Sequence, residues 1–300
     1  MIKIKRRVVL HGDSTLTVSL PSTWVKRFNV QKGDELNVEE NNKNLIIIKD
    51  KENDLNKAKE INIGSLNRLG KSYITSMYRN GFDEISLKYE NIDYIKTIQD
   101  IISKDITGFE IVKQGKNNCT IKDITGHNKD EFDIILRRIW RLILNLSDES
   151  LKAIKSNDTE TLKNIHLMDY SINKFSNYCL RLLAKRNKID YDKIPLYYCL
   201  IRNLEEIADQ YKDMCDSYLN RKDKIDDNLI TLFTKTNNYL CEFYELFYEY
   251  NEEKIEELFK KTKVLLNKRL YPSDTNMSFY LFYICKDIRN LLPLLVEIKL

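Results

Sequence analysis

Val8-Val9-Leu10-His11-Gly12-Asp13-Ser14-Thr15-Leu16-Thr17-Val18-Ser19-Leu20-Pro21 decides how this chain is read. The apolar run Val8 to Leu10 and the alternating Leu16, Val18 and Leu20 predict two strands around a turn at His11 to Ser14. Pro21-Ser22-Thr23 opens a short helix with Trp24, Val25 and Phe28 on its apolar side. Lys32-Gly33-Asp34 turns the chain again. Leu36 and Val38 then alternate with polar residues, Asn41 to Asn44 turn, and Leu45 to Ile48 make a last strand. Two strands, a helical turn and two strands in roughly fifty residues are too few to close a core alone. Size therefore predicts a homodimer through this β unit.

Outward from that unit, glycine divides the chain. All eight glycines lie at or before Gly126. Glycine supplies the positive-φ turns that strands and tight loops need, so the glycine-free remainder suits helices joined by polar turns. Residues 51–126 read as a mixed segment of αβαββ order: a helix over Ile61 to Tyr78, a strand at Glu84 to Leu87, a helix over Ile92 to Ile102, and a hairpin of Phe109 to Val112 with Cys119 to Ile124. From residue 127 onward six helices are expected. Breaks fall at Ser156-Asn157-Asp158, Arg186 to Asp192, Asn220 to Asp227, Tyr250-Asn251 and Tyr271-Pro272-Ser273, with Pro195 and Pro272 near helix starts. Two three-helix units in tandem, 127–222 and 223–300, follow. Ser150, Asp158, Asp192 and Ser273 are candidate N-caps or lie just before them. The fold class is multi-domain α+β: a β unit over 1–50, the mixed segment over 51–126 and an all-helical part over 127–300.

Two groups of residues carry possible chemistry. On the helix from Pro195 to Leu219, residues spaced at 100° put Tyr197, Leu200, Ile201, Leu204, Ile207, Ala208, Tyr211, Met214 and Tyr218 on one arc. Glu205, Asp209, Asp213 and Asp216 fall on the other. Like charges four apart repel, so either basic neighbours screen the stripe or a cation binds it. Arg202 and Lys212 are within reach as screens. Asp169 and Asn173 on the preceding helix could complete a set of hard oxygen ligands for a divalent ion. In the β unit, Lys3, Lys5, Arg6 and Arg7 lead into the first strand, and Lys26, Arg27 and Lys32 follow the short helix. Doubled in a dimer they could form a strip that meets DNA phosphates. The alternatives are an ordinary charged surface and lysines guarding a strand edge.

Other classes of function lose ground on composition and motif. The net charge of +4 is small for 300 residues, so affinity for nucleic acid must come from a local patch. The six cysteines form no C-x-x-C pair and read as reduced core residues, and the three histidines are too scattered for a zinc pattern. There is no G-x-S-x-G, P-loop, G-x-G-x-x-G or H-E-x-x-H. The expectation is therefore a regulator rather than an enzyme; a metal-dependent enzyme would rest on the acidic stripe alone. No apolar run spans a bilayer and no signal peptide is evident, which predicts a cytoplasmic protein.

Residues Gly12 to Lys26, followed by Val30-Gln31-Lys32-Gly33-Asp34-Glu35-Leu36, resemble the AbrB/SpoVT swapped-hairpin domain, in which two chains interlace hairpins and basic residues bind DNA. Arg202-Asn203-Leu204-Glu205-Glu206-Ile207-Ala208-Asp209 resembles PhoU. The combination is similar to archaeal phosphate-uptake regulators. This resemblance implies two three-helix bundles and an E-x-x-x-D motif that binds iron or zinc clusters. Glu205 and Asp209 match that motif and Asp213 extends it. The second repeat departs, because Lys286 aligned with Arg202 places Arg289 and Pro293 where the acids would stand. The implied role is transcriptional control of phosphate uptake. The alternative is an adaptor that dimerises through the β unit and acts on a phosphate transporter or its sensor kinase.

Overall fold

A computed structural model describes residues 4–41, 43–49, 57–63, 69–126, 131–185, 189–221, 225–267 and 276–300. The chain divides into two compact units, Met1–Asn56 and Lys57–Leu300.

The first unit holds two antiparallel hairpins with a helix between them. Strands β1 (Val8–His11) and β2 (Thr15–Val18) pair Val8 with Val18 and Leu10 with Leu16. Gly12 adopts φ +67° in the turn, a conformation open to few L residues. Helix α1 spans Ser22–Arg27, with Pro21 just before it. Strands β3 (Asn37–Asn41) and β4 (Asn44–Ile48) form the second hairpin. Asp34 accepts from the backbone N–H of Gln31 at 2.8 Å and pairs with Lys49 at 3.1 Å, fixing the turn ahead of β3 to the end of β4. None of the described residues 4–41 and 43–49 whose side chains are placed is buried.

The second unit joins a four-stranded sheet to a helical bundle. The sheet runs β5 (Lys57–Asn62), β6 (Phe82–Lys88), β8 (Asn118–Asp123), β7 (Phe109–Gln114), with β5 parallel to β6 and the remaining pairs antiparallel. Helices α2 (Gly70–Arg79) and α3 (Tyr94–Lys104) complete this module. Along β6 burial alternates, so Ile85 and Leu87 meet Ile121, Ile74, Tyr78 and Ile98 in one core.

The first described element of the mixed segment is thus the strand Lys57–Asn62, which carries no alternating signal in the sequence, and the helix expected from Ile61 is corrected. Lys57-Ala58-Lys59-Glu60-Ile61-Asn62 is rich in residues that strands usually avoid. Parallel pairing along β6 overrides that local preference, and charge along a sheet edge discourages further pairing. The described helix starts only at Gly70.

Among the described residues six helices follow: α4 (Phe132–Ser156), α5 (Thr159–Ala184), α6 (Ile194–Arg221), α7 (Asp227–Tyr248), α8 (Glu252–Leu265) and α9 (Asn276–Lys299). Pro195 sits at the second residue of α6, where its missing N–H has no helical partner to lose. Asp158 caps α5 as expected, accepting from the N–H groups of Glu160 and Thr161. The break before it is made without glycine: Asn157 takes φ +53°, and its Oδ1 accepts from the Tyr218 hydroxyl at 3.0 Å. Asp226 and Asn251 cap α7 and α8. Ser150 is no cap; it is buried inside α4 and donates to the Leu146 carbonyl at 2.7 Å. Ser273 and Pro272 lie outside the described residues.

Helix α6 is the axis of the bundle, packed on α4, α5 and α9. Leu200, Ile201, Leu204, Ile207, Ala208, Tyr211 and Met214 are all buried, as their 100° spacing predicts, while Tyr197 and Tyr218 at the two ends of the predicted arc are only partly buried. Trp140 of α4 is fully buried, 5.7 Å from the rings of Phe243 and Phe247 on α7. A short chain of buried hydrogen bonds joins three helices: the Tyr211 hydroxyl donates to Asn237 Oδ1 at 2.9 Å, and Asn237 Nδ2 donates to the Ser147 carbonyl at 2.8 Å. Cys119, Cys179, Cys215 and Cys285 are buried thiols. Cys199 and Cys241 are exposed, against the expectation of core positions for all helical cysteines.

Candidate functional site

The acidic stripe lies where α6 meets α5 and α2. Glu205, Asp209 and Asp213 are four residues apart on α6, so they stack on the side opposite the buried arc. From α5, Asp169 faces them with only 2% of its surface exposed. Asn173, one turn on, donates from Nδ2 to Asp169 Oδ2 at 3.1 Å.

Cations fill the space between these carboxylates. Lys212 Nζ bonds Asp209 and stands 3.4 Å from Asp169 Oδ2 and 3.9 Å from Asp213 Oδ1. Arg202 bonds Glu205 from the same helix. Arg79, at the end of α2, brings Nη2 to 3.9 Å from Glu205 Oε1 and donates from Nε to Asn177 Oδ1 at 2.6 Å. Asp216, at the end of the stripe, is 3.9 Å from His166 Nδ1. The screening by Arg202 and Lys212 anticipated from helical spacing is therefore present, and Arg79 is an additional cation from a distant element.

Electrostatics follow from this packing. Burial pushes the Asp169 and Glu205 carboxyls above the usual carboxylate range; the nearby cations pull the other way without cancelling it. For Lys212, burial opposes the charged form, but the bond to Asp209 and the fields of Asp169 and Asp213 outweigh it and hold the ammonium. Among the described residues, no three of His, Cys, Asp and Glu converge closely enough to hold a metal ion. Ligand oxygens bind divalent ions at about 2.0–2.6 Å, and the centre of this cluster is taken by an ammonium group. The donors at Glu205, Asp209 and Asp213, as they stand, do not fit a bound iron or zinc.

A further acid lies nearby. Asp287 on α9 is partly buried, and burial followed by the charge of Glu206 on α6 lifts its pKa to about 6, against the pull of Lys286. A carboxyl whose folded pKa exceeds its unfolded value holds its proton more tightly when folded. Its favourable contribution is complete below the unfolded value and is lost as pH rises through about 6. Asp287→Asn is therefore expected to stabilise the chain by about 1–2 kcal/mol near pH 8 and to be nearly neutral near pH 4, a discount for partial exposure included. Urea melts at the two pH values measure it, and an equal effect at both would remove this account.

The sheet module is fixed to α5 by a second charged cluster. Arg181 is fully buried. Its Nη1 donates to the carbonyls of Tyr78 at 3.1 Å and Phe82 at 2.6 Å, and its Nη2 to Asp83 at 2.5 Å and Asp123 at 3.1 Å. The guanidinium also lies 4.9 Å from the Tyr78 ring and 5.1 Å from the Phe109 ring. Lys185 joins Asp83 one turn later. Sequence reading passed over this residue. The signal was available in Cys179-Leu180-Arg181-Leu182-Leu183, a lone cation inside an apolar run.

The basic candidates of the β unit are all at the surface. Lys5, Arg6 and Arg7 precede β1, and Lys26 and Arg27 end α1; each is exposed. Lys3 lies outside the described residues. Among the described residues, no carboxylate forms an ion pair with these five.

The helical bundle, with its acidic stripe on the central helix, and the small β unit each resemble a known domain. The PhoU domain model matches residues 136–218, which run from α4 to α6. The family model described as antidote-toxin recognition MazE, bacterial antitoxin, matches residues 9–55. The uncharacterized protein MJ1641 of Methanocaldococcus jannaschii is 27% identical over 175 residues, covering 53% of this chain and 60% of that protein's length. The phosphate transport system regulatory protein PhoU from Streptococcus pneumoniae aligns over 57% of this chain and 94% of its own, at 17% identity and a TM-score of 0.47. No helix among the described residues is long and apolar enough to cross a membrane.

Proposed function

We propose that this chain is a dimeric DNA-binding transcriptional regulator of phosphate uptake, in which the β unit pairs with a second copy and grips DNA while the PhoU-type bundle receives the signal. One observation carries the reading. Residues opposite each other across a hairpin share a face, so Val8, Leu10, Leu16 and Val18 line one side of β1–β2, and all four are exposed. A face of this kind needs a partner, and the cations just before β1 and at the end of α1 remain free for phosphates. Doubling in a dimer presents Lys5, Arg6, Arg7, Lys26 and Arg27 in two copies, and Lys3, outside the described residues, adds a further positive charge per chain. The PhoU domain match supports the phosphate side of the reading.

Binding that neutralises about six to ten phosphates weakens by roughly 10³–10⁵ between low and moderate salt. Fluorescence anisotropy with duplex DNA should show that dependence. Changing Arg6 and Arg7 to Ala removes four cations from a dimer and should reduce the slope of log K against log salt by about 3–4. A wild-type dimer without affinity for duplex DNA at low salt would reject the reading. Recovery of a phosphate transporter or sensor kinase with that dimer would then favour the adaptor.

A further inference from the structure

We propose that Lys212 is the resident cation of the acidic stripe: its ammonium, seated among Asp169, Asp209 and Asp213, takes the place a metal ion would need, so the bundle carries its acidic motif in a metal-free form. The distances make the case. One Nζ bonds Asp209 and lies within 4 Å of two further carboxylates from two helices. The remaining acid, Glu205, is held by Arg202 and by Arg79 of the sheet module. Three cations thus face four carboxylates.

The packing gives Lys212 little freedom to leave. Asp169 is 2% exposed, and its Oδ1 is buried without a hydrogen-bond partner among the described residues. A buried carboxylate of this kind depends on a nearby charge, and Lys212 is the one that reaches it. A divalent ion could enter only by displacing the ammonium, because two cations at one centre repel. Displacement would also leave Lys212 without the partner that orders it. Arg79 adds a structural consequence: through Glu205 and Asn177, the stripe seats α2 of the sheet module on α5 and α6. The acids here hold a module in place.

The test uses the full chain. Wild-type protein equilibrated with Mn²⁺, Zn²⁺ and Fe²⁺ and then dialysed should retain no stoichiometric metal, and its melting temperature should be the same in EDTA and in Mn²⁺. Lys212→Met leaves Asp169, Asp209 and Asp213 without the ammonium that holds them apart, so that they can draw in around a divalent ion; the variant should gain stoichiometric Mn²⁺ together with a rise in melting temperature of about 5 °C or more when Mn²⁺ is added. Lys212→Arg, which restores a cation, should behave as wild type. If the Met variant does not fold, Lys212→Gln serves in its place. Stoichiometric metal in the wild type overturns the proposal, and so does a neutral variant that binds no more Mn²⁺ than wild type.

Discussion

Replacing Arg181 by methionine is expected to destabilise the second unit by about 3–5 kcal/mol, the range for breaking a buried ion pair from one side. Methionine fills much of the same volume, so the loss is not one of packing. Two carboxylates, Asp83 and Asp123, would remain between β6, β8 and α5 with the guanidinium gone, and the carbonyls of Tyr78 and Phe82 would lose their donors. Lys185 offsets part of the charge at Asp83 but does not replace the planar fork. Arg181→Lys should therefore retain some stability and lose roughly 1–3 kcal/mol. Denaturant unfolding of the full chain gives the values. The loss should appear as faster amide exchange in β6 and α2 before any change in the α4–α7 contact around Trp140. A Met variant within about 1 kcal/mol of wild type would mean that apolar contacts alone hold the sheet module on the bundle.

The parts of this molecule that could be read from sequence are those in which one period governs a long stretch. The buried arc of α6 repeats every 3.6 residues for about four turns, from Leu200 to Met214, and tertiary contacts preserve it. The polar breaks at Asn157 and Asp158 were legible because a left-handed residue and a cap need particular side chains. Strand β5 was not. Its residues carry no alternating apolar signal, and only β6 beside it makes Lys57–Asn62 extended. The same limit applies to the site. Spacing on α6 revealed Glu205, Asp209 and Asp213, and it placed Arg202 and Lys212 within reach. It did not reveal that Arg79 would arrive from α2, or that Lys212 would also reach Asp169 on α5. Those contacts depend on how the sheet module docks, and no local pattern encodes the docking.

The β unit gives the second large effect. On the proposal that the β unit pairs with a second copy, Leu16→Asp is expected to convert a dimer of twice 35.7 kDa into a monomer while leaving the helical content of the bundle unchanged. Leu16 is 70% exposed in the single chain and stands opposite Leu10 on a face that also holds Val8 and Val18. A two-stranded hairpin is marginal in water by itself, and this one contributes no buried residue of its own. Burying a leucine in a partner's core is worth about 1.5–3 kcal/mol, and two-fold symmetry counts it twice. A carboxylate at the same position adds the cost of desolvating a charge, so the dissociation constant should rise by at least about a thousandfold. Sedimentation velocity distinguishes the two species, and circular dichroism reports the bundle. Salt-dependent DNA binding should vanish in the same variant, because each monomer carries half the cations and no second copy to set their spacing. A Leu16→Asp chain that still sediments as a dimer would move the interface to the helical unit and leave the exposed face of β1–β2 without the partner argued for it.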